Sequence, residues 1–107
     1  MANVFQTVTV ALGNSADAVV YTTPGSTTAI VVHCQVANVD GTNDATLSMD
    51  INDGYTTAAL VSTLTVPADS AVNPIGGKAV LEAADQLRAW ANASGDLELT
   101  LGILEIS

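Results

Sequence analysis

Apolar and polar residues alternate along most of this chain with a period of two, the period of a strand that buries one face. From residue 3 to residue 11, Val4, Gln6, Val8 and Val10 alternate with Phe5, Thr7 and Thr9, which predicts a first strand ending at Gly13-Asn14-Ser15. A short second strand falls within residues 17–23 and closes at Pro24-Gly25-Ser26, where Pro presets one φ and Gly permits a positive one. The longest β-type run, residues 28–41, is rich in β-branched side chains. Its even positions Ile30, Val32, Cys34 and Val36 form one apolar face. The run is therefore expected to be the central strand, with that face organising the core and with Val31, His33 and Gln35 turned outward.

Asp40-Gly41-Thr42-Asn43-Asp44 then reverses the chain. Ala45, Leu47, Met49 and Ile51 follow on one face against Thr46, Ser48 and Asp50 on the other, which predicts a hairpin partner. After Asn52-Asp53-Gly54, residues 57–66 place Leu60, Leu64 and Val66 opposite Thr63 and Thr65, until Pro67 breaks the strand. Residues 68–77 read as an irregular loop that crosses between sheets. A short strand with Val80 and Leu81, a corner at residues 82–85, and a strand setting Leu87, Ala89 and Ala91 against Arg88, Trp90 and Asn92 come next. A helix over residues 78–91 is the alternative there, because Ala, Leu, Glu and Gln dominate. The Asp85 corner and the lack of a sustained 3.6-residue period argue for strands. The last run carries Leu97, Leu99, Leu101 and Ile103 inward, but past Gly102 the apolar residues include Leu104 and Ile106. That implies either a bulge at Gly102 or burial of both faces of the C-terminus. About eight short strands with Gly, Asp, Asn and Pro between them predict an all-β fold. It is an antiparallel β-sandwich of the jelly-roll or immunoglobulin-like kind, a single domain over residues 1–107, with residues 1–12 open to acting as an N-terminal arm or exchanged strand.

Composition adds a surface to this picture. A chain of 107 residues supports one core, burying roughly 65% of its unfolded surface. Hydrophobic residues make up 49% of it and charged residues 12%, against about 25% charged in ordinary domains. So few charges imply that part of the surface faces partner chains and not water. Lys78 and Arg88 stand against eleven acidic residues, for a net charge of -9. Nucleic acid is thereby excluded as a partner, since neutralising phosphates needs clustered Lys and Arg, and anionic membranes are disfavoured for the same reason. Residues 1–6 lack the basic and apolar regions of a secretory signal, and no stretch approaches the roughly 20 apolar residues that span a bilayer. Synthesis in a cytoplasm is expected, with any exit made inside a larger object.

Candidate chemistry is sparse. Cys34, the only cysteine, lies on the apolar face and reads as a small buried hydrophobe, not as a reactive thiol or an interchain bridge. His33 is the only histidine; nothing supplies the nucleophile and orienting acid that a catalytic one needs, which leaves an exposed or interface role. Asp40, Asn43, Asp44, Asp50, Asn52 and Asp53 offer oxygen ligands of the kind calcium prefers. They miss the helical calcium-loop spacing: Gly54 follows Asp50 too soon, and Val61 stands where the closing Glu belongs. Turn formation accounts for them. No catalytic residue, metal or cofactor is nominated. Arg88 and Trp90, two apart on a strand, share a face, and a large aromatic beside an Arg reads either as a subunit-interface anchor or as a cap on the end of the core.

The linear pattern has a family likeness. The runs Val20-Tyr21-Thr22-Thr23-Pro24-Gly25-Ser26-Thr27-Thr28-Ala29-Ile30-Val31, Val36-Ala37-Asn38-Val39-Asp40-Gly41-Thr42, Pro67-Ala68-Asp69 and Gly76-Gly77-Lys78-Ala79-Val80-Leu81-Glu82-Ala83-Ala84-Asp85-Gln86-Leu87, with the ending Leu101-Gly102-Ile103-Leu104-Glu105-Ile106-Ser107, resemble small β-sandwich virion proteins of tailed bacteriophages. The likeness covers most of the chain from about residue 17 onward, and its motifs are structural. At the corner before Gln86, where that group would commonly carry Gly-Asp, this chain has Ala84-Asp85, which leaves open whether the positive φ is kept. The resemblance implies a non-enzymatic structural protein of the virion. Its first form is a capsid cement or decoration protein, a homotrimer that binds and stabilises the outer surface of a major capsid protein shell; the alternative is a neck or tail component. A carbohydrate-binding module is the reading from another class, and 4% aromatic residues supply it thinly. Contacts with partners are expected at Val4, Phe5, Val31, His33, Arg88 and Trp90.

Overall fold

The computed structural model describes residues 3–75 and 77–107. Met1, Ala2 and Gly76, which belong to the expected arm and crossing loop, lie outside the described residues. In chain order the strands are β1 (Asn3–Ala11), β2 (Val19–Thr22), β3 (Thr28–Asn38), β4 (Ala45–Asn52), β5 (Thr57–Val66), β6 (Ala71–Val72), β7 (Ala79–Leu81), β8 (Gln86–Ala91) and β9 (Leu97–Ile106). They form two antiparallel sheets. The five-stranded sheet runs β1-β9-β3, with β6 and β7 both on the free side of β3, and the four-stranded sheet runs β2-β8-β4-β5. The short segments β6 and β7 are two pieces of one edge strand, interrupted where Pro74 has no N–H to donate to the ladder. Counted so, eight strand positions remain. An immunoglobulin-like fold pairs its first two strands within one sheet, whereas here β1 and β2 lie in opposite sheets. The observed order is that of a jelly roll.

This topology corrects the hairpin expected after residue 39. β3 does not pair with β4, because both edges of β3 are taken, one by β9 and the other by β6 and β7. Residues 39–44 instead arch from one sheet to the other, and the buried Asn38 side chain holds the arch. Its Nδ2 donates to the carbonyls of Asn43 at 3.0 Å and Val66 at 2.9 Å, while its Oδ1 accepts from the Asp40 N–H at 2.9 Å. The hairpin is β4–β5, running from Ala45 opposite Val66 to Asn52 opposite Thr57.

A second correction concerns the faces of β3. The register steps from Val31 opposite Ile103 to His33 opposite Gly102, so Val32 is an extra residue and the strand carries a β-bulge. Val31 and Cys34 both point into the core, Val32 and His33 are both exposed, and Ile30 is turned outward. The irregularity does fall at Gly102, but the extra residue belongs to the neighbouring strand. A Cβ on Gly102 would stand 3.2 Å from the Cβ of His33, tighter than ordinary packing allows. β9 keeps its phase across this point, burying Leu97, Leu99, Leu101 and Ile103. Lying between β1 and β3, it contributes about 1.5–3 kcal/mol for each of those side chains. Residues 79–91 are strand, corner and strand, with Leu87, Ala89 and Ala91 inward. The buried side chains of the two sheets form one core cluster, which Leu12, Tyr21 and Ile75 extend.

Candidate interaction surface

On β9 the buried odd positions put Gly102, Leu104 and Ile106 on the outer face of the five-stranded sheet. The register then fixes their neighbours. Phe5 on β1 lies opposite Leu104, Leu104 opposite Ile30 on β3, and Ile30 opposite Val80 on β7, so four apolar side chains stand in a row across four strands. Cross-strand neighbours of this kind are about 4.5–5.5 Å apart at Cβ and touch. Ile106 continues the row on one side and Val32 on the other. Phe5 is 75% exposed and Val80 60%. Within the paired registers of β1, β9 and β3, the carboxylate this face presents is Glu98, paired with Ala11 and Ala37 at the far end, while the exposed Lys78 and Glu82 flank β7. The remainder is Thr, Asn, Gln, Ala and the exposed His33.

β1 is an edge strand, and its first half is bare on both sides: Val4, on the inner face, is 47% exposed. Glu105 ties this end of the sandwich together. It accepts from Gln6 Nε2 at 2.7 Å and from the Tyr21 hydroxyl of the facing sheet at 2.5 Å. Burial, and then this carboxylate, push the Tyr21 hydroxyl well above the usual phenol range.

The residues expected to make contacts are thus divided among three places. Phe5 and His33 share the outer face of the five-stranded sheet, with Val4 at its edge. Val31, expected outside, is fully buried, because the bulge inverts the phase of β3. Arg88 and Trp90 lie on the outer face of the other sheet. There Arg88 is engaged within the chain, donating from Nε to Asp50 at 2.6 Å and from Nη2 to Asp50 at 3.1 Å and Thr57 at 3.2 Å, with Asp17 3.5 Å away. The half-buried Trp90 sits opposite Ser48 in a shallow groove of about 260 Å³, with Asn14, Thr46, Thr63 and Asn92 around it. Sequence reasoning missed Ile30, Val32 and Val80 as surface residues. The apolar Leu104 and Ile106 in the wrong phase were the signal that an outer apolar face existed.

The remaining candidates do turn and core work. The N–H groups of Thr42 and Asn43 hold the Asp40 carboxyl below the usual carboxylate range, and those of Thr56 and Tyr55 do the same for Asp53. Among the described residues no group of three His, Cys, Asp or Glu side chains is placed to hold a metal ion. Cys34 is buried, and burial alone pushes its thiol up to about 11. No helix among the described residues is long and apolar enough to cross a membrane.

No protein-family model matches the chain, and no curated protein matches it by sequence. Two similar solved structures are each described as a pentameric capsid protein isolated from metagenomic phage sequences. The first is 20% identical, with 94% of this chain and 66% of that one covered and a TM-score of 0.45. The second is 17% identical, with 94% and 59% covered and a TM-score of 0.38. This chain therefore spans about two thirds of the length of the one and less of the other.

Proposed function

We propose that this protein is a non-enzymatic structural component of a tailed-bacteriophage virion, a capsid cement or decoration protein that binds the outer surface of the major capsid protein shell and stabilises it. The observation that carries an assembly role is the apolar row Phe5-Leu104-Ile30-Val80, left uncovered on a sheet that is otherwise nearly free of charge. Apolar residues scattered singly over a surface need no explanation, whereas a contiguous apolar row is the form that interaction sites take. The virion assignment rests on the sequence resemblance and agrees with the jelly-roll topology, which viral capsid domains use repeatedly. Cement proteins gain from multiplicity: a homotrimer at the junction of several capsomers turns a modest contact per subunit into high avidity. β1, with its free edge and bare first half, suits the part of an arm or exchanged strand in such a trimer.

Imaging particles with and without the protein tests the reading. Deleting its gene is expected to remove density from the outer shell and to lower the temperature at which the particles release DNA. An unchanged shell, with the lost density confined to the neck or tail, would replace the cement role by the neck or tail one. Absence of the protein from purified particles would overturn the virion reading altogether.

A further inference from the structure

We infer that the outer face of the five-stranded sheet, centred on Phe5, Ile30, Val80 and Leu104, is the surface through which this chain binds a second copy of itself. The inference deepens the multimeric part of the proposed function by naming a surface, and it is argued from the geometry of the chain.

Three inter-strand spacings separate Phe5 from Val80, about 14 Å, and the stretch from Gly102 to Ile106 spans about 13 Å along the strand, so the apolar row and the Asn3, Thr7, Thr28 and His33 positions beside it occupy roughly 200 Å² of sheet. A stable interface buries about 800 Å² on each partner. The apolar row can serve as the centre of such a contact, and the Thr, Gln and Ala residues of the same face supply uncharged surface around it. Phe5, the most exposed of the set, is of the residue type that anchors interface centres.

Charge selects the occupant. Each copy carries a net charge of -9, so two copies repel wherever acidic surface meets acidic surface. A basic partner would be drawn to the carboxylates of the loops, at Asp17, Asp40, Asp53 and Asp69, which this face does not display. The face whose paired positions carry one acid, Glu98 at the far end, with Glu82 just beyond β7, is the one on which a like-charged body can settle with the fewest carboxylates juxtaposed. It follows that salt should strengthen the contact by screening the repulsion between the two bodies, whereas a charge-complementary contact weakens with salt.

Sedimentation and light scattering of the purified chain test this. The wild-type protein is expected to show a mass above that of the 10.8 kDa chain, with more of the assembled form at high salt than at low. Phe5→Asp and Val80→Asp should each weaken association at least about tenfold, as interface-centre residues do. Their circular dichroism should stay unchanged, since both side chains already face solvent. Tyr55→Asp, at the fully exposed tip of the β4–β5 turn, should leave the mass alone. A protein monomeric at both salt concentrations would overturn the inference, as would an oligomer that survives both face substitutions or dissociates on adding salt. Monomers that still decorate particles would leave the virion reading standing without this surface; an oligomer absent from particles would do the reverse.

Discussion

Ala84 adopts a φ of +70°, a conformation natural to glycine, and its neighbours leave it no choice. The Thr23 N–H donates to the Asp85 carbonyl and the Ala84 N–H to the Thr23 carbonyl, while the Asp85 carboxylate accepts from the Glu82 N–H, so the corner is clamped from both sides. The left-handed conformation costs an alanine roughly 1–2 kcal/mol, and a glycine loses about 0.4–1 kcal/mol through the greater freedom of its unfolded chain. The first effect wins. Ala84→Gly is expected to raise stability by about 0.5–1 kcal/mol, read as a higher urea midpoint at unchanged slope; a lower midpoint would mean that the corner relaxes in solution. Cys34 allows a second test at this scale. With its thiol pushed up to about 11 inside the core, it should resist iodoacetamide at pH 8 in the folded protein and react at the rate of a free thiol once urea unfolds the chain. Fast alkylation of the native protein would show that the sheets open at β3.

Among the elements, the arch between β3 and β4 depends on one side chain. Asn38→Leu keeps the branched shape but leaves the Val66 and Asn43 carbonyls and the Asp40 N–H without that partner. A buried group left unpaired costs about 1–3 kcal/mol, and a loss of that size is expected in equilibrium denaturation. An unchanged midpoint would mean that water replaces the amide. The same arch shows where reading the sequence stops. Strand boundaries such as residues 3–11 and 57–66 were plain from alternation and punctuation, because both are local signals. Asp40-Gly41 marks a reversal but carries no information on whether the next strand pairs with the last, which is decided by β9, β6 and β7 competing for the edges of β3. The bulge at Val32 leaves no mark in composition, yet that one residue moved Val31 from surface to core and turned Ile30 and Val32 out. The candidate surface was visible in Phe5 and His33 but not as a row, since a row exists only once the register of four strands is set. Likewise, Arg88 could not be seen to be occupied while Asp50, 38 residues away, was not known to lie beside it.

For the molecule as a whole, pH sets two opposing effects against each other. Asp40 and Asp53 have folded-state pKa values below those of the unfolded chain, so between the two values the unfolded state binds more protons. Their contribution is then complete above about pH 4 and is lost as the pH falls further. Relief of the -9 self-repulsion acts in the other direction as the carboxylates titrate. On the alkaline side the sign is set by groups whose folded pKa is raised. Cys34, at about 11 in the fold and about 8.5 in the unfolded chain, removes stability from about pH 8.5 upward, and Tyr21 adds to the decline from about pH 10. Thermal melts are therefore expected to give a plateau from about pH 5 to 8 with a fall on either side. Cys34→Val should delay the onset of the alkaline fall by more than one pH unit, and Asp40→Asn combined with Asp53→Asn should flatten the acid limb. If acidification below pH 4 instead raised the melting temperature, the relief of repulsion would outweigh both turn carboxylates, and the acid-poor sheet face would be the place where the remaining charge matters least.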